Sequence, residues 1–499
     1  MIKLATAQNM QHIDNRTINE KGVPGLLLME RAAIAVAEEI MKECPVTDHG
    51  LVVAEGGNNG GDALAAARML INAGYDIEVR QIGAISHETE SFRQNKHILN
   101  QMGVKLIISD VPDFDGQEYD FVIEGIFGLG LKRDIAAPHD AYVRALNEMR
   151  ARRYSIDVPA GINADTGKVM GAAYKADKTI TFGFNKPGLL LYPGASYAGE
   201  TVVRDIGFDR QVVCEEQMKY YACEMSDLKC LPVRRPDAHK GSCGRLAVIA
   251  GSEQMAGAAI LSARAAYVMG TGMVKVYTHE KNRNVICSGL PESLIMIYAT
   301  KEEAAMCAKD AVSFADTILV GPGLSMDDMA RAIIDTLLRL KPGRVVADAD
   351  ALNIMADAGI APRDIGESVI ITPHLKEMSR LCGRSVAEIS DDMPGTALDY
   401  AEGNDIICVL KSARTCIAAG DLYINTSGND GMAVAGSGDV LAGIIAGLLA
   451  TGAAASDAAV LGAYIHGLAG DMAAKALGKR SMLSGDIIAH IPDILEAQV

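Results

Sequence analysis

Short apolar runs alternate with stretches of helical period along most of the 499 residues. In GVPGLLLMERAAIAVAEEI apolar positions recur every three to four residues, which predicts an amphipathic helix before the strand-like LVVA at 51–54. The chain then reads as a helix (ALAAARMLINAG), three strands (DIEVRQIG, KLIISD, YDFVIEGIFG), a helix through Tyr142 to Arg150, and two more strands (YSIDVPAG, KTITFGF). Strand and helix alternating in this way predict a mostly parallel sheet covered by helices on both faces. A second run of the same kind begins near Arg245 with RLAVIAGS, the helix GAAILSARAAYVMGTG and MVKVYTH. TILVGPG, a helix near Ala330 to Leu340, RVVADAD, SVIITPH, DIICVLK, TCIAAG and DLYINTS follow, and the end is predicted to be helical from Asp439 through about Ala474.

Between the runs, VVCEEQMKYYACEMSDLKCLPVRRPDAHKG has little periodicity and holds a Pro-Val-Arg-Arg-Pro turn, so we place a domain boundary near residue 222. The length also favours two domains, 1–222 and 223–499, both α/β. Apolar residues make up 49% of the chain and charged ones 22%, as in soluble globular proteins. The net charge of -16 disfavours nucleic acid as a partner but leaves small phosphorylated ligands open, because backbone N–H groups bind phosphate in an acidic protein. Ten cysteines without a CxxC pair point to reduced thiols and a cytoplasmic setting. VLAGIIAGLLATGAAA is short for a membrane span and is headed by Asp439, so a buried helix is expected and no membrane partner. A homo-oligomer is expected.

Three segments of the first half end strands on one expected sheet edge. AEGGNNGGDALAAARML places Asn58, Asn59, Gly60, Gly61 and Asp62 at a helix start, where free N–H groups meet an anion and the Asn amide oxygens suit a ligand or cation. A plain Asn-Gly turn has the same residues. EGIFGLGLKRD sets Gly128 and Gly130 for close approach and Lys132 and Arg133 for phosphate, or is a solvated loop. SIDVPAG ends a strand on Asp157, facing the crevice where open α/β sheets bind ligands.

Together with the LLLMERAA helix, these motifs resemble the epimerase domain of the NAD(P)H-hydrate repair proteins over most of residues 1–215. The resemblance implies a Rossmann-like three-layer α/β/α domain that interconverts R and S forms of hydrated NADH and NADPH. It implies substrate contacts at Asn58–Asp62 and at Gly128, Leu129, Gly130, Leu131, Lys132, Arg133 and Asp134, with Asp157 as acid/base. It also implies a potassium ion held by Asn59, Glu124 and Ala160. Glu124 stands where the family usually has Asp, Ala160 where it has Ser, Leu129 where it has Thr and Ala63 where it has Gly. A binding or assembly module without turnover is the alternative for this half.

In the second half, AVAGSGDVLAG puts one acid, Asp439, into a run of small apolar residues. Gly436 and Gly438 flank Ser437, so successive N–H groups form an anion nest at a helix start, where the dipole favours an ionised Asp439. A carboxylate beside such a nest takes a hydroxyl proton as that oxygen attacks phosphorus, although an acidic helix start alone explains the pattern equally. Other strand ends supply LVGPGLS, Asp348 and Asp350 in RVVADAD, His374 and Glu377 in TPHLKE, and Lys411, Arg414 and Thr415 in VLKSARTCIA; His239 and Lys240 lie on a loop before the first strand.

HKGSCGR, AGAAILSARAA, GPGL, DADALN, TPHLKE, GSGDVLAG and YIHGLAGD, in this order over about 225–499, resemble the ADP- or ATP-dependent NAD(P)H-hydrate dehydratases of ribokinase-like fold. The resemblance implies that a nucleotide phosphorylates the hydroxyl of the hydrated ring and that phosphate then leaves. By motif, Ala258, Gly323, His374 and Asp439 contact the hydrated cofactor, and Lys411, Ser412, Ala413, Arg414, Thr415 and Gly438 contact the nucleotide. Ser412 and Ala435 replace usual glycines. ADP is the expected donor, accompanied by magnesium for which no ligand set is legible. A plain small-molecule kinase is the alternative for this half.

Overall fold

The computed structural model describes residues 1–83, 88–114 and 116–496. The chain divides into two compact units, Lys3–Tyr220 and Tyr221–Val499 with Met1–Ile2.

The first unit is built on a seven-stranded sheet in the order Ile107–Ser109, Asp76–Ile82, His49–Ala54, Phe121–Gly125, Arg152–Ile156, Lys178–Phe182, Glu200–Arg204. Every neighbouring pair is parallel. Alternate side chains of His49–Ala54 enter opposite layers, as the twofold period of a strand requires. Val52 and Ala54 pack with the helices Gly25–Glu43 and Asn58–Asn72, whereas Leu51 and Val53 pack with Tyr142, Val143 and Leu146 of the helix His139–Glu148. The three-layer arrangement puts the ends of three adjacent strands, at Ala54, Gly125 and Ile156, on one edge. The edge strand Glu200–Arg204 was not anticipated from the sequence, since its side chains are mostly half-exposed and carry no apolar run.

In the second unit seven strands run parallel in the order Leu294–Tyr298, Met273–His279, Arg245–Ile249, Thr317–Val320, Arg344–Ala347, Ser368–Ile371, Ile407–Leu410. Cys416–Ala419 and Asp421–Ile424 continue the sheet antiparallel. The apolar run after Asp439 is the buried helix Ser437–Ala450. It lies close on the helix Ala256–Val268, and its small residues are the reason: a Cβ on Gly443 would overlap the Ser262 carbonyl, and one on Gly447 would stand 2.9 Å from Ala266 Cα. Among the described residues no helix is long and apolar enough to cross a membrane.

The end is largely helical, as expected. Gly452 at φ +101° breaks it, and helices Ala455–Leu477 and Ser484–Glu496 follow. The helix Lys301–Phe314 was also missed from the sequence; its alanine-rich buried face gives a weak apolar period.

Candidate active sites

In the first unit a cavity of about 490 Å³ opens at the shared strand edge. Asn58, Asn59, Asp62, Gly128, Leu129, Gly130 and Asp157 line it, all expected from the sequence. Gly60 and Gly61 lie beneath, in the first turn of the helix Asn58–Asn72; a Cβ on Gly60 would run into the Glu55 carbonyl, so only glycine lets the helix start this close to the strand end. Leu131, Lys132, Arg133 and Asp134 do not line the cavity. The chain turns after Gly128, where Leu131 N–H reaches the Gly128 carbonyl at 3.4 Å, and the three charged residues stand exposed.

Asp157 is buried at φ +63°, a conformation few non-glycine residues hold. Its Oδ1 accepts from Thr181 Oγ1 at 2.9 Å and from Lys186 Nζ at 2.7 Å. Lys186 is fully buried, and its ammonium also donates to Thr181 Oγ1 at 2.6 Å and to the Phe182 carbonyl at 3.0 Å. Burial pulls the Lys186 ammonium below the usual lysine range, against the opposing charge of Asp157. Lys186 and Thr181 were missed from the sequence. The available signal was a lone lysine in FGFNKPGLL, just past a strand that ends on the same edge. Asp62 has no hydrogen-bond partner among the described residues. Burial pushes its carboxyl well above the usual range, and the charges of Asp157 and Asp14 add to this.

Of the potassium set expected at Asn59, Glu124 and Ala160, Glu124 lies against Ala160, and a Cβ on its neighbour Gly125 would stand 2.9 Å from the Asn59 carbonyl. Only Asn59 lines the cavity, with its Nδ2 donating to the Phe127 carbonyl at 3.0 Å. Glu124 is fully buried. Its Oε1 accepts from Ile126 N–H at 2.6 Å, and its Oε2 from Ser155 Oγ and Ala160 N–H, each at 3.1 Å. The Ala160 carbonyl accepts from Tyr174 N–H at 2.8 Å. Burial pushes the Glu124 carboxyl up to about 7. Both Glu124 oxygens already accept donors in this arrangement, so neither is left free for a cation.

In the second unit the parallel strand ends converge in the same way. The helix Ser437–Ala450 starts at Gly436, left-handed at φ +89°, with Asp439 in its first turn. Lys411 Nζ donates to Asp348 Oδ1 at 2.7 Å, and a Cβ on Gly438 would stand 3.3 Å from that Nζ, so Lys411 lies directly against the nest. Thr372 Oγ1 holds the same Asp348 oxygen at 2.7 Å. The charges of Asp348, Glu377 and Asp439 raise Lys411 above the usual lysine range, against its burial. Asp439 is half-buried, and burial, then repulsion from Asp348 and Asp350, push its carboxyl up to about 6 against the pull of Lys411. The sequence reading gave the helix dipole the upper hand; desolvation and two neighbouring acids outweigh it.

His374 and Lys411 form a parallel bridge, with Lys411 N–H on the Pro373 carbonyl at 2.8 Å. His374 Nδ1 accepts from Lys376 N–H and Glu377 N–H at 3.1 Å each, which leaves Nε2 as the ring nitrogen that carries a proton. A Cβ on Gly323, at φ +57°, would meet Ala258 Cβ at 2.9 Å, so these two expected contacts share one wall. Ser412 and Ala413 are exposed on the loop after Lys411, with Thr415 half-buried beyond them. Arg414 is tied to the Thr426 carbonyl, which turns a guanidinium expected at phosphate toward the protein. His466, within YIHGLAGD, is a site residue that the sequence motif does not single out; it is buried with Nε2 3.3 Å from Ser437 Oγ, and burial pulls it down to about 4, so it is a neutral partner for the nest serine. Among the described residues no group of three or more His, Cys, Asp or Glu gathers as a metal cage. Magnesium commonly takes one or two carboxylates and completes its shell from phosphates and water, so this edge fits an ion that arrives with a nucleotide.

A nest and carboxylate at the C-terminal edge of a ribokinase-like sheet, following in sequence a separate Rossmann-like unit with its own acid-lined cavity, define a two-domain α/β enzyme. Residues 246–493 match the family described as NAD(P)H-hydrate dehydratase, and residues 25–188 the YjeF-related protein N-terminus. The chain is 35% identical to the bifunctional NAD(P)H-hydrate repair enzyme Nnr of Moorella thermoacetica, covering 99% of this chain and 96% of that protein. It is 33% identical to the enzyme of the same name from Thermofilum pendens, covering 99% and 97%. Among solved structures, the ADP/ATP-dependent NAD(P)H-hydrate dehydratase of Bacillus subtilis, co-crystallised with ATP/Mg2+, is similar with a TM-score of 0.50 and 28% identity over 56% of this chain and 99% of that one. The chain belongs to the bifunctional NAD(P)H-hydrate repair enzymes.

Proposed function

We propose that the second unit dehydrates the S hydrate of NADH and NADPH at the expense of a nucleotide, with ADP as donor and magnesium on its phosphates. The carrying observation is the Asp439 carboxylate half-buried at the nest, with Lys411 against Gly438. Asp439 takes the proton of the ring hydroxyl while that oxygen bonds to the terminal phosphorus and the nucleotide's bridging P–O bond breaks. Lys411 and the nest N–H groups face the charge that develops on the phosphoryl oxygens. The ring C–O bond then breaks with its electrons on phosphate, and the neighbouring carbon loses a proton to restore the ring double bond. Ala258, Gly323 and His374 would shape the hydrate pocket, and Ser412 to Thr415 the nucleotide side.

The first unit, in this reading, epimerises the R and S hydrates at Asp157, so that both reach the second site. No step is routed through potassium. The saturated Glu124 carboxylate favours one rival, a first unit that binds without turnover. Feeding purified R hydrate with nucleotide to the full chain separates them: recovery of NADH from the R form, lost in Asp157→Asn while the S form is still used, supports epimerisation. Persistence of the R form beyond its spontaneous rate in the unsubstituted protein supports the binding module.

A further inference from the structure

Two carboxylates line the first unit's cavity in opposite settings. Asp157 accepts two hydrogen bonds on Oδ1, one from the fully buried Lys186 ammonium, while Asp62 has no donor among the described residues. The charged groups around Asp62 are acids from every side: Asp14 on the helix Ala7–Asn19, Glu55 at the strand end, and Asp157, with Lys186 behind it. We propose that Asp62 and Asp157 divide the proton transfers of epimerisation, Asp62 as the acid that protonates the departing hydroxyl and Asp157 as the base that receives a proton from the returning water. This deepens the epimerase reading of the cavity and rests on it.

The chemistry of the hydrate suits such a pair. Its hydroxyl sits on the carbon beside the ring nitrogen, a hemiaminal. As the C–O bond breaks with its electrons on oxygen, the Asp62 proton completes a water molecule and the nitrogen lone pair forms the C=N bond of an iminium ion. Water then adds to the opposite ring face, giving up a proton to Asp157, and the C=N electrons return to nitrogen. Nothing is oxidised or reduced, and one proton passing from Asp157 to Asp62 through cavity water resets the site. Environments that push two carboxyl groups apart assign the acid and base roles. The directions agree: burial and the like charges of Asp157 and Asp14 hold Asp62 protonated well above the usual carboxylate range. Ionisation of Asp62 therefore sets an alkaline limb on the rate.

The test uses the full chain, R hydrate as substrate and pH profiles of epimerisation. Wild-type protein that leaves the R form untouched would refute the epimerase reading itself. If wild type epimerises, Asp62→Asn is expected to lower kcat by about 10²–10⁴-fold with little change in KM and to erase the alkaline limb. Infrared spectroscopy of the same proteins at neutral pH gives a readout apart from turnover: a protonated-carboxyl band in wild type that is missing in Asp62→Asn. An Asp62→Asn enzyme with near-wild-type kcat and its alkaline limb intact, or no loss of carboxyl band, would overturn the division of roles while leaving the epimerase reading standing.

Discussion

Replacing Asp439 by Asn separates a catalytic base from an acidic helix start, because the two roles move stability in opposite directions. Asp439 is pushed from 3.8 up to about 6 by burial and by Asp348 and Asp350. At about 1.36 kcal/mol per pH unit this corresponds to about 3 kcal/mol of destabilisation when the group is ionised, reduced to about 1–3 kcal/mol by solvent at its open side. The sign follows from proton binding. Between 3.8 and about 6 the folded chain holds more protons than the unfolded one, so stability falls as pH rises through that window, and the full penalty is present above it. A helix-dipole contribution of about 0.3–1 kcal/mol works the other way and is smaller. The Asn variant should therefore unfold no earlier than wild type at pH 7.5, and the two should converge toward pH 4. Its nucleotide-dependent phosphate release should fall about 10²–10⁴-fold. Wild-type rate should itself drop below about pH 6 as the base protonates. Thermal unfolding without nucleotide at both pH values, with a phosphate-release assay on S hydrate, reads both effects. A variant that melts several degrees lower at pH 7.5 and keeps most of its activity would refute the argument and leave Asp439 as a helix-start acid.

Lys186→Met should strand Asp157 in a buried site and cost the first unit about 3–5 kcal/mol, since one partner of a buried pair is removed; denaturant unfolding should show this loss while dehydration of S hydrate is unchanged. Glu124, raised to about 7 by burial, should make the first unit less stable as pH rises from 4.5 through 7, and melting of Glu124→Gln should show that slope removed. Gly443→Ala should drive the helix Ser437–Ala450 off its neighbour, because the new methyl meets the Ser262 carbonyl; we expect about 1–3 kcal/mol lost, read as a lower melting point of the second unit.

The sequence carried the parallel strands well because they are buried on both faces: LVVA, RVVA and SVII are continuous apolar runs with glycine or acid at their ends. It carried the edges poorly: Glu200–Arg204 is part-exposed and charged at both ends, and Leu294–Tyr298, although an unbroken apolar run, is only part-buried. Site residues at strand ends were legible for the same reason: Asp157 and the helix start at Asn58 follow buried strands directly, whereas Asp439 was legible from the glycines around it and the apolar helix it heads. What spacing could not convey was which way a long side chain turns. Arg414 donates to the Thr426 carbonyl, Lys132 and Arg133 stand exposed, and Glu124 accepts from Ile126 N–H, Ala160 N–H and Ser155 Oγ. Partners from distant segments were equally hidden, as with Lys186 on Asp157 and His466 on Ser437.

The central claim is that both units act in sequence on one damaged cofactor. Its most direct test is a recovery assay on an equilibrium mixture of R and S NADH hydrates with ADP and magnesium. Complete return of NADH absorbance, with one phosphate freed per NADH and no stable phosphoester, is the result the structure predicts. A phosphorylated hydrate that accumulates without NADH, or recovery that halts once the S form is spent, would contradict it.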